Sequence, residues 1–288
     1  MKLSTPVTVV TVTYSPGRHL AAFLDSLAGA YAGPVRVIVV DNGSTDGAPE
    51  AAAAADDRVE LLSGGGNVGY GAAMNAGVRH AGAGAGDVLI LANPDVVFEP
   101  GAIDALVEVF ERYPQAASAG PRIVEADGST YPSARRVPSV ATGVGHALWS
   151  KVWPGNPWTR RYRADAVMDV EREAGWLSGS CLAVRREAFS AVGGFDERYF
   201  MYLEDVDLGD RFGRAGYLNV YTPAARIRHE QGHSTKPRAA SMVPAHHRSA
   251  YRFQADRHPG WAEWPLRALL WAGLRARAWL LTRPIPRR

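Results

Sequence analysis

Val88-Leu89-Ile90-Leu91-Ala92, followed at once by Asn93-Pro94-Asp95, is the stretch on which the reading of this chain turns. Five apolar residues in a row, closed by a turn, predict a strand buried on both faces. Pro94 has no N–H to give to a ladder and ends the strand, which frees Asp95 at the sheet's carboxyl edge. A carboxylate there is poorly placed for packing and well placed to meet a ligand or a metal. Taken alone, Asn-Pro-Asp reads first as an ordinary strand-to-turn exit.

Working outward, Val7 to Thr13 and Val35 to Val40 predict two further strands, with helical spacing at Leu20, Phe23, Leu24 and Leu27 between them. Val59 to Leu62, a helix from about Gly71 to Ala81, the Val88 strand and a helix from Ile103 to Arg112 continue the alternation. Strand, helix, strand repeated in this way implies an α/β fold whose mainly parallel central sheet carries helices on both faces. Beyond Pro114 the pattern loosens, and Pro121, Pro132, Pro138, Pro154 and Pro157 punctuate a less regular second half.

A chain of 288 residues that is 47% hydrophobic can bury a full core, so disorder of the whole is excluded. Cys181 is the single cysteine, which permits no internal disulfide and suits a reducing cytosol. Its neighbours Ser180 and Leu182 suggest a strand, and it is read as a small buried residue rather than a nucleophile. Met1 to Pro6 leads into the first strand without an apolar signal core, so export is not expected. The net charge of +3 is uneven: Arg248 to Arg288 holds nine arginines against Asp256 and Glu263, a net of +7, leaving −4 for the preceding residues. A basic tail points to an anionic membrane surface or a phosphate-bearing substrate, and away from a nucleic-acid-binding face on the main domain.

The strand ends carry the candidate chemistry. Asp41 closes Val37-Ile38-Val39-Val40 and opens Asn42-Gly43-Ser44-Thr45-Asp46, where it either caps the turn or accepts hydrogen bonds from a base or ribose. Asp95 is a first candidate ligand for Mg2+ or Mn2+, ions that one or two carboxylates hold together with phosphate oxygens. Glu204-Asp205-Val206-Asp207 starts a helix whose first turn favours acids, and the aromatic approach Phe195 to Tyr202 suits a sugar pocket. A carboxylate aimed into a cleft from a helix start is a candidate general base. Gly64-Gly65-Gly66-Asn67-Val68-Gly69 matches G-x-G-x-x-G, the pattern of an NAD-dependent oxidoreductase, but it follows the third strand where that fingerprint follows the first.

Together, Thr13-Tyr14, Asp41-Asn42-Gly43-Ser44, the run Asn67 to Gly77, Asn93-Pro94-Asp95, Gly175-Trp176-Leu177-Ser178-Gly179, and Glu204-Asp205 with Asp207 resemble, in order, the family 2 glycosyltransferases of GT-A fold, over about residues 7 to 235. Asn-Pro-Asp and the Phe195-Asp196-Glu197 to Asp207 run resemble the family's rhamnosyltransferase branch, which acts in cell-wall linker (arabinogalactan) synthesis. The resemblance implies residues 1–115 as a nucleotide-sugar half, 116–240 as an acceptor half of the same domain, and 241–288 as a C-terminal helical extension. It implies Thr13, Tyr14 and Asp41 around base and ribose, with Asn67, Gly69, Asn93 and Asp95 along the nucleotide sugar. Asp95 and His229 become the metal ligands, with neutral Asn93 in place of the family's first acid. Asp205 becomes the base of a single inverting displacement, and Glu204 a support for the acceptor or the loop. The donor implied is dTDP-L-rhamnose, and the acceptor an N-acetylglucosaminyl-diphospho-polyprenol.

Gly175 to Gly179 would let the backbone approach that acceptor, with Gly179 at its edge; Trp176 either stacks on a sugar or packs in the core. In the tail, Trp261, Trp264, Leu266, Leu269, Leu270, Trp271, Leu274, Trp279, Leu280 and Leu281 are interleaved with Arg267, Arg275, Arg277 and Arg283. No apolar run approaches the roughly 20 residues that span a bilayer. The tail is therefore read as lying on a membrane surface, which places the enzyme in the cytoplasm at the inner face of the plasma membrane, or as packing on the domain or on a second copy in a homodimer. Two other readings of the whole chain stay open: the oxidoreductase, and a catalytically silent sugar-nucleotide-binding protein.

Overall fold

The computed structural model describes residues 6–140, 153, 168–229 and 239–282. The stretch around Pro154 and Pro157, the positions following His229 up to 238, and Arg283 lie outside the described residues, as do the side chains of Leu280 and Leu281. The expected alternation is present: β1 (Val7–Thr13), α1 (His19–Ala30), β2 (Val35–Asp41), α2 (Ala48–Ala55), β3 (Val59–Ser63), α3 (Tyr70–Ala81) and β4 (Val88–Ala92). Then come β5 (Val96–Phe98), α4 (Ala102–Arg112), β6 (Ala116–Glu125), β7 (Thr130–Tyr131), β8 (Ala134–Arg135), β9 (Arg172–Ala174), β10 (Trp176–Leu177) and β11 (Cys181–Arg185). The chain continues through α5 (Arg186–Ala191), α6 (Glu204–Arg214), β12 (Leu218–His229), α7 (Ala239–Arg257) and α8 (Trp264–Thr282).

The main sheet runs β3-β2-β1-β4-β11-β6-β12-β5. Its first four strands are parallel, β11 is antiparallel to both β4 and β6, and β6 and β12 are again parallel. β1 is buried along its whole length because both its faces are covered. Val7, Val9, Val37 and Val39 face one core, with Phe23 and Leu27 of α1 and Leu106 of α4. Val10, Val12, Ile38 and Val40 face the other, with Met74 of α3 and Phe212 of α6. Gly77 brings α3 directly onto the strands, since a Cβ there would lie 2.4 Å from Val10 Cγ1.

Register sets the site. Thr13 pairs with Asp41 and Asp41 with Ser63, so the carboxyl ends of β1, β2 and β3 stop level. Cys181 pairs with Ala92, which brings the turn before β11 to the end of β4 on that same edge. β5, not expected from the sequence, pairs its first residue Val96 with His229, the last of β12. Asn93-Pro94-Asp95 is thus a crossover turn between two strands of one sheet, and Asp95 is carried to His229 by that pairing.

α7 lies across the segment that leads into α6. Ser249 Oγ donates to Met201 O at 2.8 Å, Arg198 bridges Asp196 and Asp256, and Phe253 is buried with Tyr199 and Val206. α8 then lies along α7, with Leu266, Leu270 and Leu274 forming a half-buried stripe at four-residue spacing. Trp261, Trp264 and Leu269 stand outside it, 86%, 62% and 73% exposed.

Candidate active site

Asp41 ends β2 between two loops. Thr13 Oγ1 donates to its Oδ1 at 2.9 Å, Ser44 donates through both N–H and hydroxyl, and Gly43 N–H reaches Oδ2 at 3.2 Å. Burial works to raise this carboxyl's pKa, but the hydrogen bonds from Ser44, Thr13 and Gly43 outweigh it and hold the group below its usual value. Asp41 therefore both organises the turn and stays an anion at the sheet edge. Ser15, left-handed at φ 53°, takes its place opposite: its N–H donates to Ser44 Oγ at 2.7 Å and Gly17 N–H to Asp46 at 2.7 Å. Tyr14, partly buried, sits between Thr13 and this tie.

The Gly64 to Gly69 loop packs on the same turn. Gly64 N–H donates to Asp41 O at 2.7 Å, and a Cβ on Gly64 would lie 2.8 Å from that oxygen. Gly69 has φ 92° and leaves only 2.5 Å between a notional Cβ and Phe200 O, so no other residue fits. Exposed Asn67 caps it, accepting the Gly69 N–H at 3.2 Å. Gly64 and Gly69 serve close packing of loops against loops and Gly66 a backbone at φ 111°, which accounts for the G-x-G-x-x-G pattern without a dinucleotide.

At the end of β4, Asp95 Oδ1 and His229 Nε2 are 3.1 Å apart, both largely buried, and His229 Nδ1 has no partner among the described residues. No cluster of three or more His, Cys, Asp or Glu side chains suited to a metal occurs among the described residues. Asp95 and His229 would nevertheless fit as two ligands of a Mg2+ or Mn2+ ion, a cation that one or two protein groups hold together with phosphate oxygens and waters. Asn93 is half-buried, and its N–H donates to Ser180 O at 2.9 Å, fixing the turn against the segment before β11.

That segment leads to the acid pair. Gly179 N–H donates to Asp205 Oδ2 at 2.8 Å, Val206 N–H to Oδ1 at 2.8 Å, and the Tyr70 hydroxyl to Gly179 O at 2.6 Å. Asp205 is partly exposed, whereas Glu204 is buried and its Oε2 has no partner among the described residues. Burial, and after it the neighbouring Asp205, pushes the Glu204 pKa up to about 8. Burial likewise raises Asp205, held back by the Gly179 and Val206 N–H groups and by the Arg135 charge. The pair is delivered by two consecutive left-handed residues, Tyr202 at φ 69° and Leu203 at φ 64°, a strained backbone of the kind that persists only when its surroundings hold it. Here the surroundings are α7 and Gly69.

The phenol of Tyr70 joins the two halves. Burial, then Glu204, Asp205, Cys181 and Asp95, all raise its pKa, so it is neutral and sees the charges of both acidic clusters. Asn93 N–H on Ser180 O and Gly179 N–H on Asp205 Oδ2 tie the Asp95 turn and the acid pair to one short segment at the same sheet edge. In the sequence Tyr70 is one residue of the run Asn67 to Gly77, and nothing in its spacing points to Gly179. Trp176 packs its Cβ on Gly209, donates from Nε1 to Arg136 O at 3.1 Å and is half-buried against the cluster of Tyr199, Val206 and Phe253. Cys181 is fully buried and its thiol pKa is raised by burial, as suits a packing residue.

A mainly parallel sheet that gathers an ionised Asp, an Asp–His pair and a buried Glu-Asp pair along one edge has the layout of a sugar-nucleotide transferase, and the chain belongs to glycosyl transferase family 2, whose model matches residues 8–193. It is 52% identical to the N-acetylglucosaminyl-diphospho-decaprenol L-rhamnosyltransferase of Mycobacterium tuberculosis strain H37Rv, over 97% of this chain and 94% of that one. Among solved structures it is similar to a mannosyltransferase from Pyrobaculum calidifontis in complex with GDP-Man and Mn2+, with a TM-score of 0.59 and 18% identity over 99% of this chain and 78% of that one. It is also similar to GalNAc-T7 with UDP, GalNAc and Mn2+, with a TM-score of 0.58 and 18% identity over 85% of this chain and 48% of that one. These two establish the GT-A fold, and family membership removes the oxidoreductase reading.

Proposed function

We propose that this enzyme transfers L-rhamnose from dTDP-L-rhamnose to a hydroxyl of N-acetylglucosaminyl-diphospho-polyprenol, with inversion at the anomeric carbon. The observation that supports the mechanism is Asp205 itself: partly exposed, and fixed by two backbone N–H groups on a segment tied to the Asp95 turn. The mycobacterial relative's acceptor and sugar support the choice of substrates.

In this reading Thr13, Tyr14 and Asp41 receive the base and ribose, and Asn67, Gly69 and Asn93 line the rest of the nucleotide sugar. A divalent cation held by Asp95 and His229 would offset the charge growing on the diphosphate leaving group. Asp205 takes the proton of the acceptor hydroxyl as its oxygen bonds to the anomeric carbon and the bond to dTDP breaks on the opposite face. Glu204, neutral at pH 7 because its pKa is raised, leaves Asp205 as the one charge of the pair.

The tail belongs to the same proposal. Exposed Trp261, Trp264 and Leu269, Arg275 stacked on Trp271, and the net positive charge suit an anionic lipid surface, where the acceptor resides. None of the described helices is long and apolar enough to cross a membrane. Attachment at the inner face of the plasma membrane is accordingly proposed as peripheral.

Turnover with dTDP-rhamnose against UDP-glucose, UDP-galactose and GDP-mannose, on a lipid-diphosphate N-acetylglucosamine, tests the donor. Asp205→Asn should abolish transfer and keep dTDP binding. Transfer retained by that variant would assign the base elsewhere, and absence of turnover with every donor would favour the silent binding protein.

A further inference from the structure

Tyr70 is the first residue of α3, and different parts of the chain hold its backbone and its hydroxyl. Its N–H donates to Phe200 O at 3.2 Å, and its ring stands edge-on to Phe195 with the centroids 5.9 Å apart. Gly71 presses on the same approach: a Cβ there would lie 2.9 Å from Phe195 Cβ and 3.8 Å from Glu204 Cβ. The start of α3 is thereby seated on the segment that runs into α6. The hydroxyl goes to a third segment, donating to Gly179 O at 2.6 Å.

Gly179 in turn donates its N–H to Asp205 Oδ2 at 2.8 Å. Three segments far apart in the sequence thus close a circuit, from Tyr70 to Gly179, from Gly179 to Asp205, and from the approach to Asp205 back to Tyr70. A glycine has no side chain by which packing could fix it, so the direction of its N–H depends on what holds the two peptide groups beside it. Asp205 takes the N–H of one, and Tyr70 takes the carbonyl of the other. Each has besides these only a long contact of 3.4 Å, from Cys181 N–H to Ser178 O and from Ser180 N–H to Ser178 Oγ. The ties of Ser178 N–H to Ser133 O and of Asn93 N–H to Ser180 O act on peptides one step further away. Burial and the acids around it raise the phenol's pKa, so the hydroxyl keeps its proton and remains a donor.

We propose that Tyr70 is a positioning residue: its hydroxyl holds the Gly179 backbone so that the glycine N–H keeps the Asp205 carboxylate aimed for proton transfer. The proposal rests on the reading of Asp205 as the base. Donor binding is a separate matter, because the turn before α3 is tied to the nucleotide edge through backbone, by Asn42 Nδ2 on Gly69 O at 3.2 Å.

The test compares wild type and Tyr70→Phe across pH with dTDP-rhamnose and polyprenyl-diphosphate N-acetylglucosamine. Phenylalanine keeps the ring against Phe195 and removes only the hydroxyl, so the unfolding midpoint should fall by roughly a few degrees at most. The kcat should fall about tenfold with KM for the donor unchanged. The rise of kcat with pH should move to higher pH, since a slackened Gly179 N–H favours the charged carboxylate less. Gly179→Ala strikes the same link while leaving the phenol in place and should show the same displacement. Adding Tyr70→Phe to it should cost nothing further, because the two changes break one connection. Wild-type kcat in Tyr70→Phe, or losses that multiply in the double variant, would overturn the proposal. A lower kcat with a higher donor KM and an unmoved pH profile would do so too, by placing the hydroxyl's role on the nucleotide side. Transfer retained by Asp205→Asn in the same assay is the separate result that removes the base, and this proposal with it.

Discussion

Gly179 and Asp205 are locked together: the glycine N–H donates to Oδ2 at 2.8 Å, and a Cβ on Gly179 would sit 3.2 Å from Asp205 Cβ and 3.4 Å from Oδ2. The methyl of Gly179→Ala fits only if the carboxylate gives way by a few tenths of an ångström. Because reactivity depends steeply on how the base meets the hydroxyl, kcat is expected to fall about 10- to 100-fold. Binding of dTDP, which the proposed site assigns to Thr13, Tyr14 and Asp41, should stay at the wild-type level by calorimetry. An unchanged kcat would mean that Gly179 does not aim the base.

Glu204→Gln should stabilise the protein, and more so as pH rises. The Glu204 pKa stands at about 8 in the folded chain against 4.5 for an ordinary glutamate, so between those values the folded state holds a proton that the unfolded state has released. Stability contributed by that proton is complete below pH 4.5 and is lost progressively as pH rises to 8. Glutamine is neutral throughout and escapes the loss, on the order of 2–4 kcal/mol by pH 8. Thermal unfolding at pH 5 and pH 8 checks this: the two proteins should melt together at pH 5 and separate by several degrees at pH 8, and parallel curves would place Glu204 in a wetter site.

Much of this site was legible because acids at strand ends contradict the pattern around them. Asp41 and Asp95 each interrupt a run of buried aliphatics, and Asp205 opens a helix behind an aromatic segment, so all three stood out before any contact was known. What joins them was not legible. Tyr70 and Gly179 are 109 residues apart, and only the insertion of β11 beside β4 brings them within a hydrogen bond. β5 is three residues long, too short for a period to register, yet its pairing with β12 is what sets Asp95 beside His229. The alanine run of α2 has no apolar stripe to mark its face, and only Pro49 in it is buried. Trp176 was read in sequence as either a sugar platform or core; it has packed contacts on one side and remains half-exposed on the other, a division that residue type alone does not encode.

Asn93 holds the position where a second acid would strengthen a cation site. Exchanging its neutral amide for a carboxylate adds a hard, charged oxygen ligand next to Asp95. Asn93→Asp is expected to tighten Mn2+-dependent binding of dTDP roughly tenfold, and to lower stability in EDTA, where two carboxylates face each other unscreened. His229→Ala should act in the opposite sense, weakening the metal dependence. Titration of Mn2+ followed by the dTDP-induced shift in unfolding temperature reads both. If neither variant moves the metal midpoint, the cation is not held by this turn.

Trp261, Trp264 and Leu269 lie outside the Leu266–Leu270–Leu274 stripe by which α8 rests on α7, so replacing them removes apolar surface from water without opening the protein's interior. The triple change to serine should therefore leave the unfolding temperature near that of the wild type. Each large apolar side chain that enters a lipid interface contributes on the order of 1.5–3 kcal/mol when fully buried, and the three together support attachment alongside the tail's arginines. Flotation with vesicles rich in anionic lipid should fall by at least about tenfold for the variant, and wild-type flotation should weaken in high salt, as an arginine-assisted surface contact must. Equal flotation of the two proteins would detach this face from the membrane. Sedimentation then separates the remaining occupant: a wild type that runs as a dimer and a variant that runs as a monomer would make the tryptophan face a contact between two copies, with the acceptor reaching Asp205 from a membrane held by other means.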